Sequence, residues 1–522
     1  MPQAQEIELK LAVLAERAGR LARLPLLKGV TPDEPQTLQS VYFDTAKQTL
    51  RKHGLSLRVR RRDGRFAQTV KQRRGRGVGL FERDEWEWAV ENGHPDLAAA
   101  RDSALAPLIG KKLQRRLRPV FETRVERTTY PLRCGDSDIA FTVDRGKVTA
   151  AGRSSPLCEI ELELKSGEAD ELFALARALD RALPVRLASK SKAARGYDLL
   201  AASAAAPVKA EPIAFTRGAD WAQAFQIVAR ACLYQVAANE ATLRKGDAEG
   251  VHQMRIGLRR LRAAMSLFKD IVAGPQAEAV KAELKWLTGE LGPARELDVF
   301  VKRVVRDAER AKAPSRQSTK RSGLGFVAKD IRKRRAEASR RAQSAVASPR
   351  FRRLLLEAAA WIEAGDWKRD ADDLKRALRE RAVAGAAADE LARRRSKIRK
   401  QGKKLATLDA RHRHKLRIKT KKLRYATEFF AGIIADRKSR RRRKAFVARL
   451  KAMQDALGDL NDIAVHDRLA AQEITSGGRR GGLKTAFAAG RLSGRERARF
   501  AGVMRDAQRA CAAFAEAAPF WP

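Results

Sequence analysis

Glu6, Glu8 and Lys10 alternate with Ile7, Leu9 and Leu11 at the N-terminus. In an extended strand residues two apart share a face, so the charged groups point one way and the aliphatic side chains the other. Taken alone, the pattern more often marks a half-solvated strand with a polar outer face than a site. Later segments repeat it. Leu55–Arg60 puts Arg58 and Arg60 on one face, Ala67–Lys71 sets Lys71 beside Thr69, and Arg83, Glu85 and Glu87 alternate with Asp84, Trp86 and Trp88. Phe121–Arg124, Ala140–Asp144 and Cys158–Glu163 complete the series.

If these faces converge inside one barrel, its interior holds carboxylates and cations together. An unpaired buried charge is costly, so such a lining is tolerable when metal ions, water and an anionic ligand fill it. Glu6, Glu8, Asp144, Glu159 and Glu161 would supply the hard oxygen ligands that Mg²⁺ or Mn²⁺ prefers. Lys10, Arg58, Arg60, Lys71, Arg83, Arg124 and Lys190 would hold phosphoryl oxygens, the arginines in bidentate geometry. This division of labour suits phosphoryl transfer, where positioning and charge neutralisation supply most of the catalysis. Glu6, Glu8, Lys10 and Lys71 are the candidates for the chemistry itself. Register from Phe81 to Trp88 is open by one residue, which touches Arg83 and Glu85, and either Glu159 or Glu163 can face a metal.

The motifs Glu6-x-Glu8-x-Lys10, Tyr42-Phe43-Asp44-Thr45, Leu57-Arg58-Val59-Arg60, Thr69-Val70-Lys71, Asp144-Arg145-Gly146, Glu159-Ile160-Glu161-Leu162-Glu163 and Ser189-Lys190-Ser191-Lys192 follow one another in this order. Together they resemble the CYTH, or triphosphate tunnel metalloenzyme, family over roughly residues 1–200. The resemblance implies an eight-stranded antiparallel tunnel with helices, one metal that neutralises a triphosphate and a second that activates the attacking water. It assigns Glu6, Glu8, Asp144, Glu159 and Glu161 to metal and Lys10, Arg58, Arg60, Lys71, Arg124 and Lys190 to phosphate. The family includes inorganic, thiamine and RNA triphosphatases and one class of adenylyl cyclases, so the barrel alone leaves the substrate open.

The elements that must carry these residues form only part of a chain of 522 residues, a length that suggests about two to four domains. Up to Ala206 there are 37 Lys and Arg against 27 Asp and Glu, a net +10, which leaves +37 of the total +47 for the remainder. Such an excess repels itself and attracts polyanions. Ala201–Pro212 is linker-like, so the expected division is a tunnel domain at 1–200, a linker at 201–213 and a helical domain at 214–518. No window approaches the roughly 18 uninterrupted apolar residues of a membrane helix, and the N-terminus is charged where a signal peptide is apolar. The expected location is cytoplasmic, with no membrane partner. Cys134, Cys158, Cys232 and Cys511 show no metal or disulfide spacing and read as small hydrophobes.

The helical half repeats itself. His252, Arg255, Arg259 and Arg262 recur as His414, Arg417, Lys421 and Arg424 at an offset of 162, and Leu291-Gly292 recurs as Leu457-Gly458 at an offset of 166. On a helix each set forms a stripe beside an apolar seam, Met254, Leu258 and Leu261 in one case and Leu416 and Leu423 in the other. A polyanion between the stripes would relieve their repulsion. This half resembles the CHAD domain, the conserved histidine α-helical domain. The resemblance implies two pseudo-symmetric four-helix bundles, about 214–345 and 346–518, whose basic cavity binds inorganic polyphosphate. Arg260 and Lys422 join the candidates, and Lys421 and Lys422 replace Arg259 and Arg260 in the second copy, with loss of bidentate geometry.

Gly75–Gly79 lacks the Gly-Lys-Ser/Thr of a phosphate loop and reads as a hairpin. His412 and His414 diverge on a helix. Together the two halves resemble bacterial inorganic triphosphatases, which implies metal-dependent cleavage of inorganic triphosphate to diphosphate and phosphate with polyphosphate bound by the helical half. The alternatives are a non-catalytic polyphosphate- or granule-binding protein, thiamine triphosphatase or adenylyl cyclase activity, and nucleic-acid binding, which the aromatic content of 6% disfavours. No protein partner is evident.

Overall fold

The computed structural model describes residues 4–13, 15–73, 77–201, 206–310, 324–433, 436–476 and 482–521. The side chains of Glu6 and Arg83 and those of 302–331 and 464–498 lie outside the described residues, as do Gly75 and Arg76 of the Gly75–Gly79 segment.

The N-terminal part is a curled antiparallel sheet of β1 (Ala4–Ala12), β2 (Gln36–Asp44), β3 (Leu55–Arg62), β4 (Arg65–Arg73), β5 (Leu80–Val90), β6 (Arg118–Cys134), β7 (Ser137–Ala150), β8 (Arg153–Ser166) and the two-residue β9 (Arg186–Leu187). The order is β5-β4-β3-β2-β6-β7-β8-β1-β9, and β1 also pairs with β5. That pairing closes eight strands into the expected tunnel. β1 serves both ends of the sheet: Ala4–Leu9 face β5, Glu8–Ala12 face β8, and β9 takes over from β5 opposite Leu11 and Ala12. Hairpin chemistry sets the register locally. Asp63 and Gly64 both adopt positive φ, 49° and 77°, the backbone a two-residue turn of primed type demands. Arg62 therefore pairs with Arg65, which places Arg58 opposite Thr69 and Ser56 opposite Lys71.

Short helices α1 (Thr49–Lys52) and α2 (Lys111–Gln114) cap loops, and α3 (Ala169–Ala182) packs against β1 and β8. The helix α4 (Lys192–Leu200), N-capped by Ser191 accepting from Ala194 N at 3.2 Å, lies against β6, β7 and β8. It sits close: a Cβ on Gly196 would lie 2.2 Å from the Phe121 ring, so any larger residue would push the helix away. Asp44 secures the same corner, since its carboxylate accepts from Leu50 N at 2.9 Å, Arg51 N at 3.1 Å and the Tyr197 hydroxyl at 2.7 Å. The Tyr42-Phe43-Asp44-Thr45 motif thus ties α1 and α4 to the sheet.

The C-terminal half is helical. α5 (Trp221–Ala238), α6 (Glu240–Arg244), α7 (Ala248–Leu267), α8 (Lys269–Val272), α9 (Pro275–Arg310), α10 (Leu324–Ala347) and α11 (Pro349–Ala364) form a first group. After α12 (Asp373–Glu380), the helices α13 (Val383–Gly402), α14 (Ala410–Phe429), α15 (Arg437–Ser476) and α16 (Gly482–Ala515) pack as a ring of four. The basic run Arg437–Lys444 opens α15. One apolar cluster runs from Leu9 and Phe173 through Phe225, Trp361 and Phe514, so the tunnel domain and both helical groups share buried surface. Ion pairs fringe the join: Arg177 holds Glu357 with two bonds of 2.9 Å, and Arg352 donates to Asp180 at 3.2 Å. Among the described residues no helix is long and apolar enough to cross a membrane, and the four cysteines are free.

Candidate active site and basic seam

Asp144 on β7 pairs in register with Glu159 on β8, and Thr142 with Glu161, so the three carboxylates are neighbours on the inner face. All three are buried, and one oxygen from each lies within 4.8 Å of the others. Three cations converge on them within hydrogen-bonding distance, and Arg195 of α4 stands 3.9 Å from Glu159 Oε2. Lys192 Nζ, in the first turn of α4, is 2.6 Å from Asp144 and 2.8 Å from Glu161 and also contacts Glu159. Arg127 of β6 clasps Asp144 with bonds of 2.8 and 2.7 Å and reaches Glu161 at 2.6 Å. Lys10 contacts Glu161 and lies 2.9 Å from Glu8.

The facing wall is richer in cations. Lys71 Nζ is 2.7 Å from Glu85, Arg58 is 3.7 Å from the same carboxylate, and Arg60 Nε donates to Ser40 Oγ at 3.3 Å. Tyr42 stands opposite Arg58 in the β2–β3 register, and Arg58 and Arg60 lower its phenol despite its burial.

Desolvation alone would raise carboxylate pKa values and lower those of amines. In the acidic wall, ion pairs outweigh it. Burial pushes Glu161 up, but Lys10, Lys192 and Arg127 hold it well below the usual carboxylate range, and Asp144 is lowered in the same way by Lys192 and Arg127. Lys10 and Lys192 are raised despite their burial, because the surrounding carboxylates stabilise the ammonium form. Arg60 is the exception: desolvated, and crowded by Arg58 and Arg127, its guanidinium falls to about 10. Among the described tunnel cations Arg60 is thus the one most relieved by an arriving anion.

Of the sequence candidates, the structure brings Glu8, Lys10, Arg58, Arg60, Lys71, Asp144, Glu159 and Glu161 into this one space. Glu6 and Arg83 stand opposite each other in the β1–β5 register. The register opposite Lys71 is settled on Glu85. Glu163 is one third exposed and bonds Lys165 at 2.7 Å, so Glu159 is the residue that joins the acidic cluster. Arg124 must be corrected. It is exposed, paired across the sheet with Gln39 and Lys147, because the inward face of β6 is the one carrying Phe121, Thr123, Val125 and Arg127. Lys190 lines the cavity but is 43% exposed and bonds Asp198 at 2.6 Å, away from the carboxylates. Arg127 and Lys192 are the two inner-wall cations that strand alternation missed. The Ser191 cap was a usable signal for Lys192, since it starts a helix whose first residue turns inward.

The donor set suits a hard divalent cation: three clustered carboxylates, with Glu159 Oε2 buried and accepting no hydrogen bond. Lys192 Nζ stands among the same three, so a metal there has to displace it.

In the helical half, α7 and α14 pack on each other. Their cations meet: Lys421, desolvated and beside Arg417, Arg259 and Arg424, is lowered to about 8, and burial together with Arg259 also lowers Arg417 and Arg255. The duplicated glycines stand against the duplicated arginines, since a Cβ on Gly292 would be 3.5 Å from Arg255 Nη1 and one on Gly458 3.8 Å from Arg417 Nε. His414 is exposed, with Nδ1 2.5 Å from Asn461 Oδ1, and His252 is half-buried. Two candidates fall elsewhere. Arg260 is in the core, donating to Gln235 at 3.0 Å and lying over the Phe429 ring at 5.3 Å, because it faces α5 instead of the seam. Lys422 donates to Ser266 at 3.1 Å and groups with Arg262 and Arg394.

Comparison with known proteins agrees with this two-part architecture. Residues 4–197 match the CYTH domain and residues 227–471 the CHAD domain. The chain is a CYTH domain followed by a CHAD domain. An inorganic triphosphatase of Haemophilus influenzae is 31% identical over 194 residues, 37% of this chain and 54% of that protein, so the chain spans about half the length of this curated relative. The crystal structure of the CHAD domain from Ricinus communis is 27% identical, with 59% of this chain and 96% of that one covered and a TM-score of 0.47. A Hippeastrum protein described as having a dominant triphosphatase activity is 19% identical, with 37% and 96% covered and a TM-score of 0.31.

Proposed function

We propose that the tunnel hydrolyses inorganic triphosphate to diphosphate and phosphate, and that the basic seam of the helical half binds inorganic polyphosphate. The observation that carries the first part is the opposition of a buried carboxylate cluster and a wall of crowded guanidinium groups inside one closed sheet. Arg58, Arg60, Lys71 and Arg127 would hold the non-bridging oxygens of the chain, and Lys10 would neutralise charge near the scissile phosphorus. Asp144, Glu159 and Glu161, with Glu8 beside them, would hold Mg²⁺ or Mn²⁺, which when bound neutralises phosphoryl charge and acidifies the attacking water. Water adds to the terminal phosphorus, the bridging P–O bond breaks, and diphosphate leaves with its charge met by the arginines. The relative from Haemophilus influenzae supports the same substrate.

The test is phosphate release from triphosphate with Mg²⁺ or Mn²⁺ by the full chain and by a Glu8→Gln/Glu161→Gln variant; equal rates would sink the assignment. A second reading, a tunnel that holds polyphosphate without turnover, is favoured by Lys192, which already neutralises the carboxylates. Retained binding with no turnover of triphosphate, ATP or thiamine triphosphate would establish it.

A further inference from the structure

The tunnel domain does not enclose its own cavity. The space that contains Lys10, Arg58 and Lys71 measures about 1220 Å³ and continues past Lys190 to a wall made by the helical domain, where Tyr234, Arg244 and Lys245 line it. Small-ligand sites run to roughly 300–1,000 Å³, so this one exceeds what a triphosphate needs. The helical wall is held in place. Arg186 of β9 ion-pairs with Glu240, the first residue of α6, and Asn239, fully buried at the α5–α6 corner, bonds Val208 of the connecting segment through both its amide oxygen and its amide nitrogen, each at 2.9 Å. With Glu240 engaged by Arg186, and reached by Arg244 only at 3.5 Å, the charge this corner offers the cavity is cationic.

We infer that Arg244 and Lys245 form a chain-length subsite: they bind the phosphoryl groups of a linear polyphosphate that extend beyond the three held in the tunnel. The assignment rests on the triphosphatase reading and adds a residue-level specificity to it. A triphosphate seated at Arg58, Arg60 and Lys71 leaves the rim cations unused, whereas a fourth phosphoryl group, tethered to the first three, meets them at high effective concentration. The helical domain would then complete the catalytic cavity as well as carry the separate seam between α7 and α14.

The test compares the full-length protein with an Arg244→Ala/Lys245→Ala variant, reading kcat and KM for inorganic triphosphate and for inorganic tetraphosphate with Mg²⁺. The expected result is a loss of about tenfold in kcat/KM for tetraphosphate, mainly in KM, with triphosphate changed less than about twofold. Parallel losses on both substrates, no loss on either, or a wild-type protein that turns over triphosphate but not tetraphosphate would overturn the subsite. If the wild type hydrolyses neither, the triphosphatase reading is what fails. Calorimetric titration of both proteins with the same two anions then decides the rim assignment, a selective loss of tetraphosphate affinity upholding it and an equal or absent loss overturning it.

Discussion

The tunnel and the seam both concentrate cations, yet the cations around the tunnel's carboxylates and those of the seam shift in opposite directions, Arg60 being the tunnel cation that behaves like the seam. In the tunnel, Lys10, Lys192 and Arg127 are raised, because buried Glu161 and Asp144 overcompensate the desolvation of each ammonium and guanidinium group. At the seam Arg255, Arg417 and Lys421 are all lowered, by burial first and by neighbouring cations after it. One region is neutralised in advance, so a ligand or metal must exchange with partners already in place. The other stores repulsion that an arriving anion releases. The first arrangement selects by geometry, and the second attracts by charge with weaker dependence on the anion's shape.

The contrast can be broken most severely at Glu161. Replacing it with Gln leaves Lys10, Lys192 and Arg127 crowded in a buried site, and breaking a buried ion pair costs about 3–5 kcal/mol. Thermal melting should fall markedly, and phosphate release should drop by about a hundredfold or more. A stable, active variant would show that the acidic wall is not what holds the tunnel together.

At the seam the effect on stability should reverse in sign. Arg259→Ala/Arg417→Ala relieves repulsion, so the free protein should melt no lower than wild type while long-chain polyphosphate binds roughly ten- to a hundredfold more weakly. The salt slope of binding should become shallower by about one per lost cation, with triphosphate turnover unchanged. A lower melting temperature with intact binding would erase the distinction between the two regions.

A gentler probe is pH. Lys421 is protonated below about 8 and neutral above it, so polyphosphate affinity should decline between pH 7 and 9, and Lys421→Arg should flatten that decline. In the same window the unfolded chain, with its lysine near the ordinary 10.5, binds more protons than the folded one, so the ligand-free protein should gain stability as pH rises from 8 toward 10.5. Affinity that is equally pH-dependent in the Arg variant would remove Lys421 from the seam. The smallest effect belongs to Arg124→Ala, expected within about twofold of wild type in triphosphate turnover because the side chain faces solvent; Arg127→Ala should fall by about a hundredfold.

Much of this contrast was legible in the chain. Alternation of two identified the charged faces of β1, β3, β4 and β8, and Asp63-Gly64 set the β3–β4 register without help from distant residues. The helical repeat predicted that two basic stripes exist, and the glycines of the duplicated Leu-Gly pair proved to stand against the duplicated arginines. What alternation could not supply was which face of a strand turns inward. On β6 the charged face of Glu122, Arg124 and Glu126 looks out, and the lumen receives Phe121, which stacks on Tyr42 with centroids 4.6 Å apart, then Thr123, Val125 and Arg127. One end of the tunnel is filled by aromatic packing with α4, so there the apolar face is the inner one.

The sequence by itself determined the charged faces of β1, β3, β4 and β8, the register of the β3–β4 hairpin and the duplication of the basic helices, because periodicity and turn chemistry act over a few residues. Only the tertiary structure decided that Lys192, not Lys190, enters the carboxylates, that Arg260 belongs to the core, and that α6 of the helical half lines part of the tunnel cavity. Those outcomes depend on how a capped helix, a shared apolar core and an interdomain ion pair set elements far apart in the chain against one another, and such contacts leave no period to read.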